Sequence, residues 1–460
     1  MIVSESKALT LCALEMASIT RKGSLMNSTS TSFMDKLQLF MEEKILPAAT
    51  KFSDQRHMAS IRDGMTLLIP LTIIGGIAIV LAIPPVPATL EGTNFFFQFL
   101  LNWKAVATAN ITTLLIPYNL TIGIISIYVV AGISYRLAKS YNLDAINNMV
   151  SALFVFLAVA AYPANDGVFS TSQLGATSMF TAMIIALVVV EINRFFIEKK
   201  ISIKMPDSVP PNVSAPFNVL IPVIFNIVFF IVLNTICFNV VGGGLPTLVY
   251  KVFQPFISVA GSLPSILVIN FLMTTFWFFG IHGANMVSVV TSPITTAALA
   301  LNADAYARGV QLPAIYAGAV NSVFGNWITY TAMLIVMLMF AKSAQMKSVA
   351  KVATAPTMFN INEPMIFGIP TVLNVFTYIP LIICSILNFS ITYFLMQANI
   401  IGRFFVTLPF TVPDPLQAFL ATMDWKTIPL WFALLVMDCF IVFPFLQTYD
   451  KQLLKNERKD

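Results

Sequence analysis

Apolar runs long enough to cross a bilayer dominate this chain. About 20 consecutive, mostly apolar residues span the hydrocarbon core as a helix, and such segments start near residues 66, 114, 146, 179, 217, 264, 317, 371 and 427. The chain therefore reads as an all-α polytopic membrane protein. Composition agrees: 57% of its 460 residues are hydrophobic and 10% charged, against about 25% charged in soluble domains. The net charge of +5 does not point to nucleic acid, because Lys and Arg are dispersed among short loops and form no stripe. Cys12, Cys237, Cys384 and Cys439 show no C-x-x-C spacing. They read as small core residues, with neither a disulfide nor a metal site expected.

Charge bias then tests the number of crossings. With the N-terminal region inside, Lys199, Lys200 and Lys204 in the 197–216 loop fall inside, and the 163–178 loop, which has no Lys or Arg, falls outside. Nine spans would leave Lys342, Lys347 and Lys351 outside, together with a tail bearing Lys451, Lys455, Arg458 and Lys459. One more crossing near residues 284–301 restores the positive-inside pattern and makes about ten transmembrane helices, with both termini cytoplasmic. That stretch is polar at Ser288, Thr291, Ser292, Thr295 and Thr296 and contains Pro293, so a broken helix is expected there. Interrupted helices survive at membrane depth only where protein buries them or they line a watery cavity.

Residues 1–33 fit no cleavable signal, since the patch from Ala8 to Ile19 holds Glu15 and lacks a basic lead-in. They read as an extension of unknown role, and Met1, Met26 and Met34 are equally acceptable starts. Residues 34–63 carry Leu37, Phe40, Met41, Ile45 and Leu46 at helical spacing. Both an amphipathic helix on the lipid surface and a soluble helix capping the bundle fit them.

Two stretches combine helix breakers with ionisable residues. In "FWFFGIHGANMV", residues 276–287, His282 stands between Gly280 and Gly283. The glycines let backbone approach a ligand, and a neutral imidazole accepts a proton near pH 7. In "NINEPMIFGIP", residues 360–370, Glu363 precedes Pro364. The proline withholds an amide and is expected to turn Glu363 out of the helical region, while Asn360 and Asn362 offer donors and acceptors to hydroxyls. An ionisable group in an apolar chain costs about 2.5–3.5 kcal/mol at a helix centre and commonly marks a pathway. Each residue also has a plain alternative: His282 bonding a carbonyl between packed helices, Glu363 capping a helix or pairing with a loop Lys. Glu191, with Arg194 three residues on, and Asp438, placed near a span end, read as structurally paired. "VGGGLP" at 241–246 reads as a loop. No Walker motif exists, so neither ATP hydrolysis nor any cofactor is expected.

These two motifs together resemble enzyme IIC, the membrane component of bacterial sugar phosphotransferase systems, in the lactose/cellobiose/diacetylchitobiose branch. "QRHMASIRDGM" at 55–65, "MPDSVPPNVSAPFNVLIP" at 205–222 and "MDWK" at 423–426 extend the likeness over roughly residues 34–450. The resemblance implies a homodimer in the plasma membrane, with lipid around it and two re-entrant hairpins in each protomer. Residues 64–262 would form the dimerisation half, 263–450 the substrate-carrying half and 451–460 a cytoplasmic tail. It also implies import of a disaccharide phosphorylated at its 6-hydroxyl by a phosphocysteine on a B component. No hydrophilic stretch of domain size flanks the spans, so B is expected as a separate chain, with an A component upstream. His282 and Glu363 would be the catalytic pair, with the choice of base open. Gly283, Asn285 and Asn362 would contact sugar; Trp425 would stack on a pyranose or anchor at the interface. The competing class is an ion-coupled secondary transporter in which Glu363 and His282 bind a proton and the sugar leaves unmodified.

Overall fold

The computed structural model describes residues 54–457 except 85, 87–89, 162–168, 202, 204–210 and 370, and in addition 43, 44, 47 and 51. The 1–33 extension and the predicted surface helix around Leu37–Leu46 lie outside the described residues. Those described form helices and connecting segments, with no strand among them. Among the described residues, eight helices are long and apolar enough to cross a membrane, or ten if each of two sharply bent pairs is one span.

The first part of the chain comprises α1 (Arg56–Thr66), α2 (Ile69–Ala82), α3 (Phe95–Ala109), α4 (Ile125–Ser140), α5 (Ala145–Ala160), α6 (Met179–Glu198), α7 (Pro211–Val241) and α8 (Leu245–Ala260). Helices α1 and α4 cross at a glycine contact. A Cβ on Gly64 would stand 2.7 Å from Ile133 Cγ1, so only glycine permits that approach. Glu191 on α6 meets Arg194 at 3.0 Å as the spacing predicts, and also meets His57 at 2.8 Å. Within VGGGLP only the three glycines form the loop between α7 and α8, with Gly242 at φ +68°.

The second part comprises α9 (Leu263–Phe278), α10 (Gly283–Ala307), α11 (Asn326–Phe340), α12 (Ala344–Met358), α13 (Glu363–Gly368), α14 (Val375–Gln397), α15 (Asp414–Thr422) and α16 (Thr427–Glu457). The stretch expected to break at Pro293 is instead one continuous helix, α10, with Pro293 buried inside it. Its alanines explain the tolerance. Ala297, Ala300 and Ala303 pack into the core of the first part, while Ala298 and Leu299 pack into that of the second. Small side chains on both faces admit close neighbours, and these hold a helix that its own sequence supports weakly.

Two re-entrant hairpins follow, entering from opposite ends of the 31-residue α16. The first is fastened at the C-terminal end of α16, where the Lys342 and Ser343 amides each donate to Asp450 at 2.9 Å and the Ala344 amide donates to Glu457 at 2.9 Å. It returns to that same end, with Phe376 stacked on Tyr449 at 5.8 Å. The second opens and closes at the N-terminal end. There the Gly402 amide donates to Asp424 at 2.9 Å and Lys426 Nζ donates to the Ile400 carbonyl at 2.7 Å. A helix rises about 1.5 Å per residue, so the two anchoring ends stand roughly 45 Å apart.

Asp438 departs from the sequence expectation. It lies inside α16, fully buried, and its partners are the neutral Thr329 and Asn388.

Candidate functional site

The hairpin tips meet. Asn360 turns the first tip in a left-handed conformation, φ +62°, which asparagine tolerates better than most residues. Its Nδ2 donates to the Phe410 and Val412 carbonyls of the second tip, each at 2.8 Å. Both amide hydrogens are thereby occupied, so Asn360 is a clasp between backbones and has no donor left for a ligand.

Glu363 follows on an exposed turn. Contrary to expectation, Pro364 does not expel it from the helix, because α13 begins at Glu363. At the second position of a helix the missing proline amide leaves no intrahelical bond unmade. The carboxylate lies within Coulombic reach of the His282 imidazole and the Tyr330 hydroxyl.

His282 is the N-cap of α10. Gly280 at φ +77° makes the turn that separates α9 from α10. The His282 Nδ1 accepts the Asn285 amide at 3.2 Å, so the neutral ring carries its proton on Nε2. Trp277 lies against it, ring centroids 4.5 Å apart and planes tilted by 46°.

The other predicted residues divide. Asn285 is exposed in the first turn of α10, beside His282. Asn362 is buried at 5% exposure, with its Oδ1 unpartnered. Gly283 packs under α9, where an added Cβ would collide with the Met273 carbonyl oxygen. Trp425 is 67% exposed on the loop before α16, at the end where the second hairpin is anchored.

Sequence reasoning missed Trp277, whose five-residue separation from His282 across a glycine turn was its available signal. It also missed Asp414, the first residue of α15. That carboxylate is 3% exposed and lies beside the Asn360 amide and the Trp431 indole, closing a hydrogen bond to neither. A proline-flanked acid in the apolar stretch "TVPDPL" was the trace it left.

Comparison with known proteins places this arrangement. The profile described as "Phosphotransferase system, EIIC" matches residues 62–385. The lichenan permease IIC component of Bacillus subtilis (strain 168) is 32% identical over 453 residues, covering 92% of this chain and 96% of the relative. The lactose-specific EIICB component of Staphylococcus epidermidis is 31% identical over 437 residues, covering 92% of this chain and 72% of that longer protein. The solved structure of ChbC, the IIC component of an N,N'-diacetylchitobiose-specific phosphotransferase system, superposes with a TM-score of 0.81 at 30% identity, over 91% of this chain and 99% of ChbC. A multi-span helical chain with opposed hairpins and this extent of similarity belongs to the EIIC family of membrane permease components of phosphotransferase systems.

Proposed function

We propose that the protein imports a disaccharide of the cellobiose, diacetylchitobiose or lactose type and presents its 6-hydroxyl for phosphorylation by a separate phosphocysteine-bearing B component, itself charged by an A component. The observation that carries this reading is that His282 and Glu363 are both exposed, each at the start of a helix after a break, and lie within Coulombic reach of one another. Two ionisable groups that the fold exposes together suit a hydroxyl-rich ligand that must lose a proton.

In this reading Glu363 is the base and His282 the donor. The His282 Nδ1 lone pair is engaged by the Asn285 amide, leaving Nε2–H to hold a sugar oxygen. The exposed Glu363 carboxylate accepts the 6-hydroxyl proton as that oxygen attacks phosphorus. The new P–O bond forms while the P–S bond of phosphocysteine breaks, and the thiolate leaves. Phosphoryl transfer asks a protein mainly for positioning and charge control, with a residue that orients the nucleophile and takes its proton. Trp277 supplies a flat apolar face beside the imidazole for a pyranose ring. Asn285 and Asn362 orient other hydroxyls, and Gly283 admits α9 close behind them. Residues 64–262 serve as the dimerisation half of a homodimer and 263–450 as the moving half, with both termini in the cytoplasm of a bacterial cell.

The test is uptake of radiolabelled cellobiose into membrane vesicles loaded with phosphorylated B component, with and without a proton uncoupler. Sugar phosphate that persists with the uncoupler supports group translocation. Free sugar that accumulates and is lost on uncoupling would overturn it in favour of ion coupling. Labelling of introduced cysteines at Lys347 and Lys455 from the outside would refute the orientation.

A further inference from the structure

Asp438 belongs to no part of the mechanism above, yet it is fully buried where α11, α14 and α16 pack together. Two donors converge on one of its oxygens. Thr329 Oγ1 from α11 and Asn388 Nδ2 from α14 each donate to Oδ2 at 2.8 Å. The other carboxyl oxygen, Oδ1, is buried without a partner, and so is Oδ1 of the same Asn388.

That pair of bare oxygens is informative. A carboxyl and a primary amide match each other edge to edge: the amide N–H bonds one carboxyl oxygen, and a carboxylic O–H bonds the amide oxygen. Here the first bond is present, and both atoms of the second are buried and open. If Asp438 were ionised, neither open oxygen would bear a hydrogen, and a full charge would lie in the protein interior with no cation beside it among the described residues. The titratable groups facing it are thiols, Cys384 from α14 and Cys439 next to it on α16. From α11 it meets Thr329, and the acid of α15, Asp414, faces Trp431. A buried charge without a counter-ion is strongly disfavoured, and such a group takes up a proton instead.

We infer that Asp438 is a proton-binding site separate from the sugar site, carrying a proton on Oδ1 and closing a two-bond acid–amide pair with Asn388. One proton satisfies both open oxygens at once. A bound sodium ion would need several more oxygens than the two left open. Whatever motion the α11–α14–α16 bundle makes, it then carries no net charge at this position.

Infrared spectroscopy of the purified full chain in lipid, at neutral pH and without sugar, tests this independently of transport. The expected result is an undissociated carboxylic acid carbonyl band that shifts on deuteration and is absent from Asp438→Asn. That variant should keep its Tm and its sugar transport, because an amide at 438 donates to Asn388 Oδ1 as the acid does. Asp438→Ala, which leaves Asn388 open, should lower Tm. If Asp438→Asn fails to fold, Thr329→Val decides. It removes a bond to the carbonyl oxygen and should move the acid band to higher frequency. The absence of any acid band in the wild type, a band unmoved in Thr329→Val and kept in Asp438→Asn, or a sodium-dependent rise in Tm lost in Asp438→Asn would overturn the inference.

Discussion

The two parts of the molecule treat buried polar groups in opposite ways. Up to residue 262 most of them satisfy one another, although Asn226 Oδ1 stays open. Asp144 caps α5 and its carbonyl takes the Asn148 amide; Asn148 Oδ1 takes the Asn193 amide; Asn193 Oδ1 takes the Asn226 amide, the last two bonds at 2.8 Å. That relay stitches α5, α6 and α7 together. From residue 263 onward buried polar atoms stand open: of twenty without a hydrogen-bond partner among the described residues, sixteen are here. They include both Asp414 oxygens, Trp431 Nε1, Gln417 Oε1 and Asn362 Oδ1 around the hairpin tips. An open buried polar group costs about 1–3 kcal/mol, so their concentration in one part marks where the fold gives up stability for a polar ligand or a change of shape. The proposed division of labour, a scaffold up to residue 262 and a working element beyond it, rests on this contrast.

This contrast can be broken by experiment. Glu363→Gln has the largest expected effect: sugar-phosphate formation in vesicles falls about 10²–10⁴-fold, the range for loss of a general base, while membrane insertion and Tm hold. His282→Asn comes next. Asparagine still caps α10, so the fold holds, but the Nε2–H is lost and kcat falls about 10–100-fold, as for removal of one oriented donor. Retained activity in either variant would remove that residue from the mechanism. Asn360→Ala undoes the clasp of the hairpin tips and lowers stability by about 1–3 kcal/mol for two lost hydrogen bonds. Uptake should fall with it, because the turn it holds carries Glu363. Asn193→Leu, in the closed part, should cost a similar or smaller amount, about 1–3 kcal/mol, seen as a lower Tm with sugar-phosphate formation per folded molecule unchanged. A loss of turnover in Asn193→Leu, or none in Asn360→Ala, would erase the distinction between scaffold and working element.

Much of this was legible in the sequence. Apolar run length specifies the membrane class and the helices, because hydrophobic burial and backbone satisfaction in lipid act on consecutive residues. Positive-inside parity found α10 despite its poor hydropathy. The glycine-flanked His282 and the proline-flanked Glu363 stood out because an ionisable group beside a helix breaker is rare in an apolar chain. What the sequence could not reveal depends on neighbours distant along the chain. Pro293 looked like a break, yet α10 is held continuous by packing from both parts of the protein. Asn360 looked like a ligand for hydroxyls, but the Phe410 and Val412 carbonyls, 50 and 52 positions away, take both of its hydrogens. Asp438 looked like a paired residue near a span end; it is paired, but deep inside α16, among a threonine, an amide and thiols. Local pattern records what each segment buries. Only the meeting of segments decides which polar atom finds a partner, because a hydrogen bond is set by distance and direction in space and not by separation along the chain.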